Sequence, residues 1–388
     1  MRTAQSITKR DKRDHLDPHR GPKRILSLDG GGVRGVLSLE YLERIEALLR
    51  ARHHDPDLRL GEYFDLIGGT STGAIIAAGL ACGMTAASIK VLYRSLATTI
   101  FQKSRFLPKR GLLAPKFSAD RVQSALDAVL GADITLSSER ILTGLMIMTK
   151  RLDTGSLWPL NNHPSAPYAA QTGQMKLTQI VRASTAAPTY FEPERLCIAS
   201  RSGTHVDGAF VDGGVSPFND PALQMLLIAT LHGHAFRWPA ASDKILLISI
   251  GTGTYRPTYS ADEIMNMLSA MQGVRALQSL MDDCARSNQT VLQWLTRTVT
   301  PWSIDRVVGS MEADSSDGPQ LATYARYDAL IDASWLKSTL GLTLDPETLA
   351  QVARMDNASN MDRLAEIGNK AAKLQVQPEH FPQTFDMI

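Results

Sequence analysis

The 388-residue chain contains only three cysteines, Cys82, Cys197 and Cys284, set far apart. An odd count at such spacing excludes a disulfide framework and a zinc knuckle, and it fits a reducing compartment. Net charge is also scarce. The 41 Lys/Arg and 39 Asp/Glu leave a formal +2, which excludes a strongly basic nucleic-acid binder. The first 24 residues hold eight Lys/Arg and three Asp but no apolar run, so they read as a solvated basic tail and not as a secretory signal. Residues 66–89 carry no charge, yet five glycines and several Ser/Thr replace the bulky aliphatics that a membrane span requires. That stretch is expected to be buried inside a globular domain. No internal repeat or low-complexity linker is present.

What is there reads as α/β. Residues 24–28 and 63–68 are strand-length apolar runs, each followed by a glycine cluster. Residues 36–49 repeat apolar side chains at helical spacing, and 74–82 read as a helix of small residues. Further strand-length runs lie at 141–148 and 244–250. Alternation of this kind predicts a largely parallel sheet, with function gathered where loops leave the strand ends. Beyond residue 253 the texture changes. Ile264, Met267, Met271, Val274, Leu277, Met281 and Cys284 recur at steps of three and four, the pattern of a long helix with one core-facing side.

The first glycine cluster, Asp29-Gly30-Gly31-Gly32-Val33-Arg34-Gly35, admits two chemistries. Gly30, Gly32 and Gly35 satisfy G-x-G-x-x-G, and Asp55 and Asp57 lie about where a ribose-binding acid belongs, so a dinucleotide turn and an oxidoreductase come into view. Bare amides at a helix start equally suit a tetrahedral oxyanion. The second cluster, Gly69-Thr70-Ser71-Thr72-Gly73, discriminates. It is G-x-S-x-G between a strand and a helix, the pattern that lifts a serine hydroxyl above the strand ends. A serine nucleophile needs a base. His163, His205, His232 and His234 are the histidines outside tail and loop contexts; His232 or His234 fits a triad order but lacks a turn context. Asp212-Gly213-Gly214, after an apolar stretch, puts a carboxylate on a loop leaving a strand, and Asp207-Gly208 repeats a weaker form of the signal.

Together, D-G-G-G-V-R-G (29–35), G-T-S-T-G (69–73), A-S-T-A-A-P-T-Y-F (183–191) and D-G-G (212–214) resemble the patatin-like phospholipase family in order and spacing, over residues 23–255. The resemblance implies a three-layer α/β/α hydrolase core with a mostly parallel sheet. It also implies Ser71 as nucleophile, Asp212 as base without histidine, the amides of Gly30, Gly31 and Gly32 as oxyanion hole, and Arg34 supporting that loop. Hydrolysis of fatty acyl esters of phospholipids or lysophospholipids would need no metal or cofactor. The run Val215-Ser216-Pro217-Phe218-Asn219-Asp220-Pro221 departs from the family's Asn-Asn-Pro-like continuation.

Further expectations complete the reading. The chain divides into a flexible basic tail (1–22), a catalytic domain (23–255) and a helical C-terminal extension packed on the core (256–388). The location is cytoplasmic, with peripheral membrane contact during action. Lys109 and Arg110, in the cationic and apolar stretch 98–117, are the candidates for that contact, against a loop whose apolar residues cover the core and whose charges are solvated. Some relatives resembling the longer bacterial members are antiphage effectors switched on by cyclic nucleotides, which implies a small-molecule activator as the alternative reading. A Gly31→Val side chain is expected to block the oxyanion site while leaving an exposed loop folded.

Overall fold

Two-residue alternation in the apolar strands sets the architecture. The computed structural model describes residues 9–100, 118–201, 204–255, 259–305 and 307–387. Among the described residues the nine strands are β1 (Lys23–Leu28), β2 (Leu66–Thr70), β3 (Gly144–Arg151), β4 (Leu157–Asn161), β5 (Glu194–Arg201), β6 (Thr204–Asp212), β7 (Ile245–Ile250), β8 (Arg297–Thr298) and β9 (Thr323–Tyr327). They form one sheet in the order β5-β6-β3-β2-β1-β7-β9-β8, with β4 also paired to β3. β1, β2, β3, β7, β8 and β9 run parallel, and β4, β5 and β6 pair antiparallel.

Both faces of the sheet are covered. Leu26, Leu28, Ile67, Leu246 and Ile248 pack into a large core with the helices Gly35–His53, Thr72–Ala81 and Met361–Gln375. Ile25, Leu66, Ile245, Leu247 and Tyr324 pack on the opposite side with the helix Ala222–Thr230. This is the three-layer α/β/α arrangement with a mostly parallel sheet. The uncharged run 66–89 resolves into β2, a fully buried helix at Thr72–Ala81 and the start of the helix Ala86–Ile100. No helix among the described residues is long and apolar enough to cross a membrane.

Four local readings change. Tyr63 ends a short helix, Leu60–Tyr63, and the second strand begins only at Leu66. Residues 9–22 are not simply solvated. A helix at Lys12–Leu16 docks through buried His15, whose Nδ1 meets Asp65 at 2.8 Å, and Arg10 reaches the same carboxylate at 2.7 Å. The region beyond 255 is largely helical, but it also lends β8 and β9 to the central sheet. The long helix, Ser269–Leu295, does not bury the Met/Leu stripe in its first half: Met271 is 57% exposed and Leu277 47%.

Candidate functional site

Ser71 sits at the junction of β2 and the helix Thr72–Ala81, with φ 55° and ψ −121°. A positive φ on a non-glycine residue is strained, and such strain collects at functional positions. Glycines make the turn feasible. A Cβ on Gly69 would lie 2.2 Å from the Gly73 carbonyl carbon, and one on Gly73 would lie 2.2 Å from the Leu28 oxygen. The Ser71 amide donates to Ser184 Oγ at 2.9 Å, and Ser184 Oγ donates to the Met148 carbonyl at 2.7 Å. Ser184, within the A-S-T-A-A-P motif, therefore pins the turn to β3.

Strand register explains why Asp212 meets Ser71. β2 ends at Thr70, opposite Met148, and β6 ends at Asp212, opposite Thr149, the next residue of β3. Ser71 Oγ donates to Asp212 Oδ2 at 2.6 Å, while the Gly214 amide donates to Oδ1 at 2.7 Å. Asp212 is 5% exposed. Burial pushes its carboxyl up to about 6, against the lowering effect of the Ser71 and Gly214 hydrogen bonds. A carboxylate poised there accepts a proton far more readily than an exposed one.

The glycine loop differs in one respect from expectation. The Gly30 amide donates to the Asn219 carbonyl at 3.1 Å, so it is not free to receive an oxyanion. Gly31 and Gly32 line the cleft beside Ser71, and their amides make no hydrogen bond among the described residues. Two donors remain where three were expected. The loop is held on every side. Thr252 Oγ1 donates to the Gly30 carbonyl at 2.9 Å, and Thr72 Oγ1 donates to the Gly32 carbonyl at 2.9 Å, with the Tyr93 hydroxyl on the same oxygen. Gly31 is buried, and a Cβ there would lie 2.1 Å from Thr252 Oγ1. The Gly31→Val substitution thus displaces Thr252 and is no clean test of an exposed loop. Arg34 ends the 3-10 turn Gly32–Arg34, and its buried Nε has no hydrogen-bond partner among the described residues. Burial pushes its guanidinium pKa down, while Asp328, Asp282 and Asp29 oppose that shift.

A cavity of about 250 Å³ opens from Ser71 and Asp212. Its wall is mostly apolar, including Ile75, Leu96, Val122, Phe191, Leu277 and Met281. Among the described residues no histidine lines this cavity. His232 is exposed, His163 packs edge-on against Phe236, and the His205 side chain lies outside the described residues. Asp207 pairs with Arg195 at 3.2 Å on an exposed part of β6. Asp55 and Asp57 follow the helix Gly35–His53, so they sit at the far end of about 28 Å of helix from the glycine loop and cannot hold a ribose there. No group of three metal-ligating side chains occurs among the described residues. Lys109 and Arg110 lie outside the described residues.

The fold and the strained serine beside a buried carboxylate define an α/β protein of the serine-hydrolase kind. A family model described as "Patatin-like phospholipase" matches residues 26–226. The cGAMP-activated phospholipase of Escherichia coli (strain TW11681) is 34% identical over 206 residues, covering 52% of this chain and 55% of that protein. Patatin-17 of Solanum cardiophyllum is 30% identical over 280 residues, covering 69% and 70%. The human GIVD cytosolic phospholipase A2 structure aligns at a TM-score of 0.43 with 12% identity, covering 96% of this chain and 60% of that one. The chain belongs to the patatin-like phospholipase family. It spans about half the length of the cGAMP-activated relative.

Proposed function

We propose that the protein hydrolyses fatty acyl esters of phospholipids or lysophospholipids through a Ser71–Asp212 dyad. The observation that carries this reading is the 2.6 Å hydrogen bond from a strained serine to a buried carboxylate at the mouth of an apolar cavity. Asp212 takes the Ser71 proton as Oγ bonds to the ester carbonyl carbon. The amides of Gly31 and Gly32 receive the oxyanion. The C–O bond to the leaving alcohol breaks as Asp212 returns the proton to that oxygen. Water then loses a proton to Asp212, attacks the acyl-enzyme and releases the fatty acid and the Ser71 hydroxyl. Every proton is accounted for by one carboxylate, so the cycle needs no metal or cofactor.

Access from a bilayer is supported by the helix that bears Leu277 and Met281. The segment leading into it exposes Met265 (79%) and Leu268 (73%) next to Met271, and the apolar strip continues into the cavity wall. Contact is peripheral in this reading. A small-molecule activator is supported only by the names of two relatives, the cGAMP-activated phospholipases of Escherichia coli and Vibrio cholerae.

The test is fatty acid release from mixed phospholipid vesicles, with and without a cyclic dinucleotide. Ser71→Ala and Asp212→Asn are each expected to reduce turnover roughly ten-thousand-fold or more, and the double variant no further. Substantial turnover in folded Asp212→Asn overturns the dyad.

A further inference from the structure

The family match ends at residue 226, but the loop beside Ser71 is tied to a residue a hundred positions later. Arg326, the fourth residue of β9, is 7% exposed. Its guanidinium grips Asp29 with both arms, at 2.8 Å to Oδ1 and 2.6 Å to Oδ2. It also donates to Ser249 Oγ at 2.7 Å, Asp220 Oδ2 at 3.2 Å and Asp328 Oδ2 at 3.2 Å. Each of these carboxylates belongs to a loop at a strand end or helix start. Asp29 opens the glycine loop after β1. Asp220 follows Asn219, the residue that accepts from the Gly30 amide. Asp328 accepts from the Gly253 amide at 2.8 Å and from Thr254 Oγ1 at 2.8 Å, next to Thr252, which holds the Gly30 carbonyl.

The loops therefore converge on one peptide. The Gly30 amide is held by Asn219, next to Arg326's acceptor Asp220, and its carbonyl by Thr252, next to Gly253, whose amide donates to Asp328. The next two residues, Gly31 and Gly32, line the cavity with amides that make no hydrogen bond among the described residues. We infer that Arg326 is a positioning residue: by clamping Asp29, Asp220 and Asp328 it aims the Gly31 and Gly32 amides at the developing oxyanion. The inference rests on the hydrolase reading. Its physical reason is preorganisation. Donors stabilise a transition state fully only when already aimed, and displacement of reacting groups by about 1 Å can cost on the order of 100-fold. A lysine cannot replace this guanidinium. It offers one point charge where a planar fork meets four acceptors.

The test compares wild type, Ser71→Ala, Arg326→Lys and Asp29→Asn on a soluble short-chain ester, with melting temperature and pH profile recorded for each. Arg326→Lys and Asp29→Asn are expected to lower kcat by roughly 30-fold or more, with KM within about threefold and the acidic limb unmoved. Thr252→Ala should lower kcat about tenfold, and Thr252→Ser should restore it. Combining Thr252→Ala with Arg326→Lys should cost less than the sum of the two effects, because both act through the Gly30 peptide. If Arg326→Lys does not fold, Asp29→Asn decides. If neither folds, Arg326 is a stability residue and the inference is overturned. It is also overturned if kcat stays within about threefold, or if KM or the acidic limb moves as much as kcat. A wild type no more active than Ser71→Ala sinks the hydrolase reading and this inference with it. An active wild type with unaffected variants sinks the inference alone.

Discussion

Asp212 is a carboxylate kept where ionisation is expensive. With its carboxyl pushed up to about 6, Asp212 is ionised at neutral pH and protonated on mild acidification, as the proposed base would be. The expected kcat/KM profile falls below pH 6, about tenfold per unit, and a flat profile down to pH 4.5 would assign the proton transfer elsewhere. The same shift has a stability sign. Between the ordinary Asp value of 3.8 and about 6 the native state binds the extra proton, so stability declines as pH rises through that window. Above it the full penalty applies, roughly 3 kcal/mol for a shift of about two units. Asp212→Asn should therefore be inactive but more stable than wild type at pH 7, with the gain vanishing near pH 4. Equal denaturant midpoints at pH 7 would contradict this.

Among elements, the helix Lys12–Leu16 meets a buried carboxylate, Asp65, through its His15. Burial alone would raise the Asp65 carboxyl, but Arg24, His15 and Lys23 reverse this and hold it well below the ordinary range. Its contribution is thus present above about pH 4 and is lost as pH falls below that. Asp65→Ala strands Arg24 without its partner and should cost about 3–5 kcal/mol, with faster proteolysis between residues 9 and 22. Unchanged protease resistance would show that the helix is held by other contacts. A basic, apolar-poor segment looks solvated, because the acid that buries it lies about fifty residues ahead. The elbow was legible for the opposite reason: Gly69, Ser71 and Gly73 carry their spatial need within five residues. The bond made by the Gly30 amide is not legible in the sequence, because its acceptor, Asn219, is remote. β9 is not legible as a strand because Arg326 interrupts its apolar pattern, and the burial of that arginine makes sense only beside Asp29, Asp220 and Asp328. The stripe in Ser269–Leu295 has true helical spacing, but spacing does not say whether a face meets a core.

For the whole molecule, the central sheet runs on past residue 255 to β9 and β8. The helix Met361–Gln375 packs on the helix Gly35–His53; its Gly368 approaches so closely that a Cβ would lie 2.8 Å from the Leu37 oxygen. Removing residues 256–388 strips the partner from β7 and bares both the sheet edge and that helix face. The truncated protein is expected to aggregate, or to bind hydrophobic dye without a cooperative melt. A soluble, cooperatively melting 1–255 fragment would show that the two parts fold independently.

The position of β9 near the end of the chain also imposes an order in time. A ribosome extends the chain at roughly 5–20 residues per second, so Arg326 emerges about 5–20 seconds after Asp220. Ser71 and Asp212 are already outside by then, but the strand carrying the clamp has not been made. A nascent polypeptide in that interval holds Ser71 and Asp212 without the guanidinium that joins Asp29, Asp220 and Asp328. With Arg326 in its inferred role, translation delays completion of the site until β9 has been synthesised.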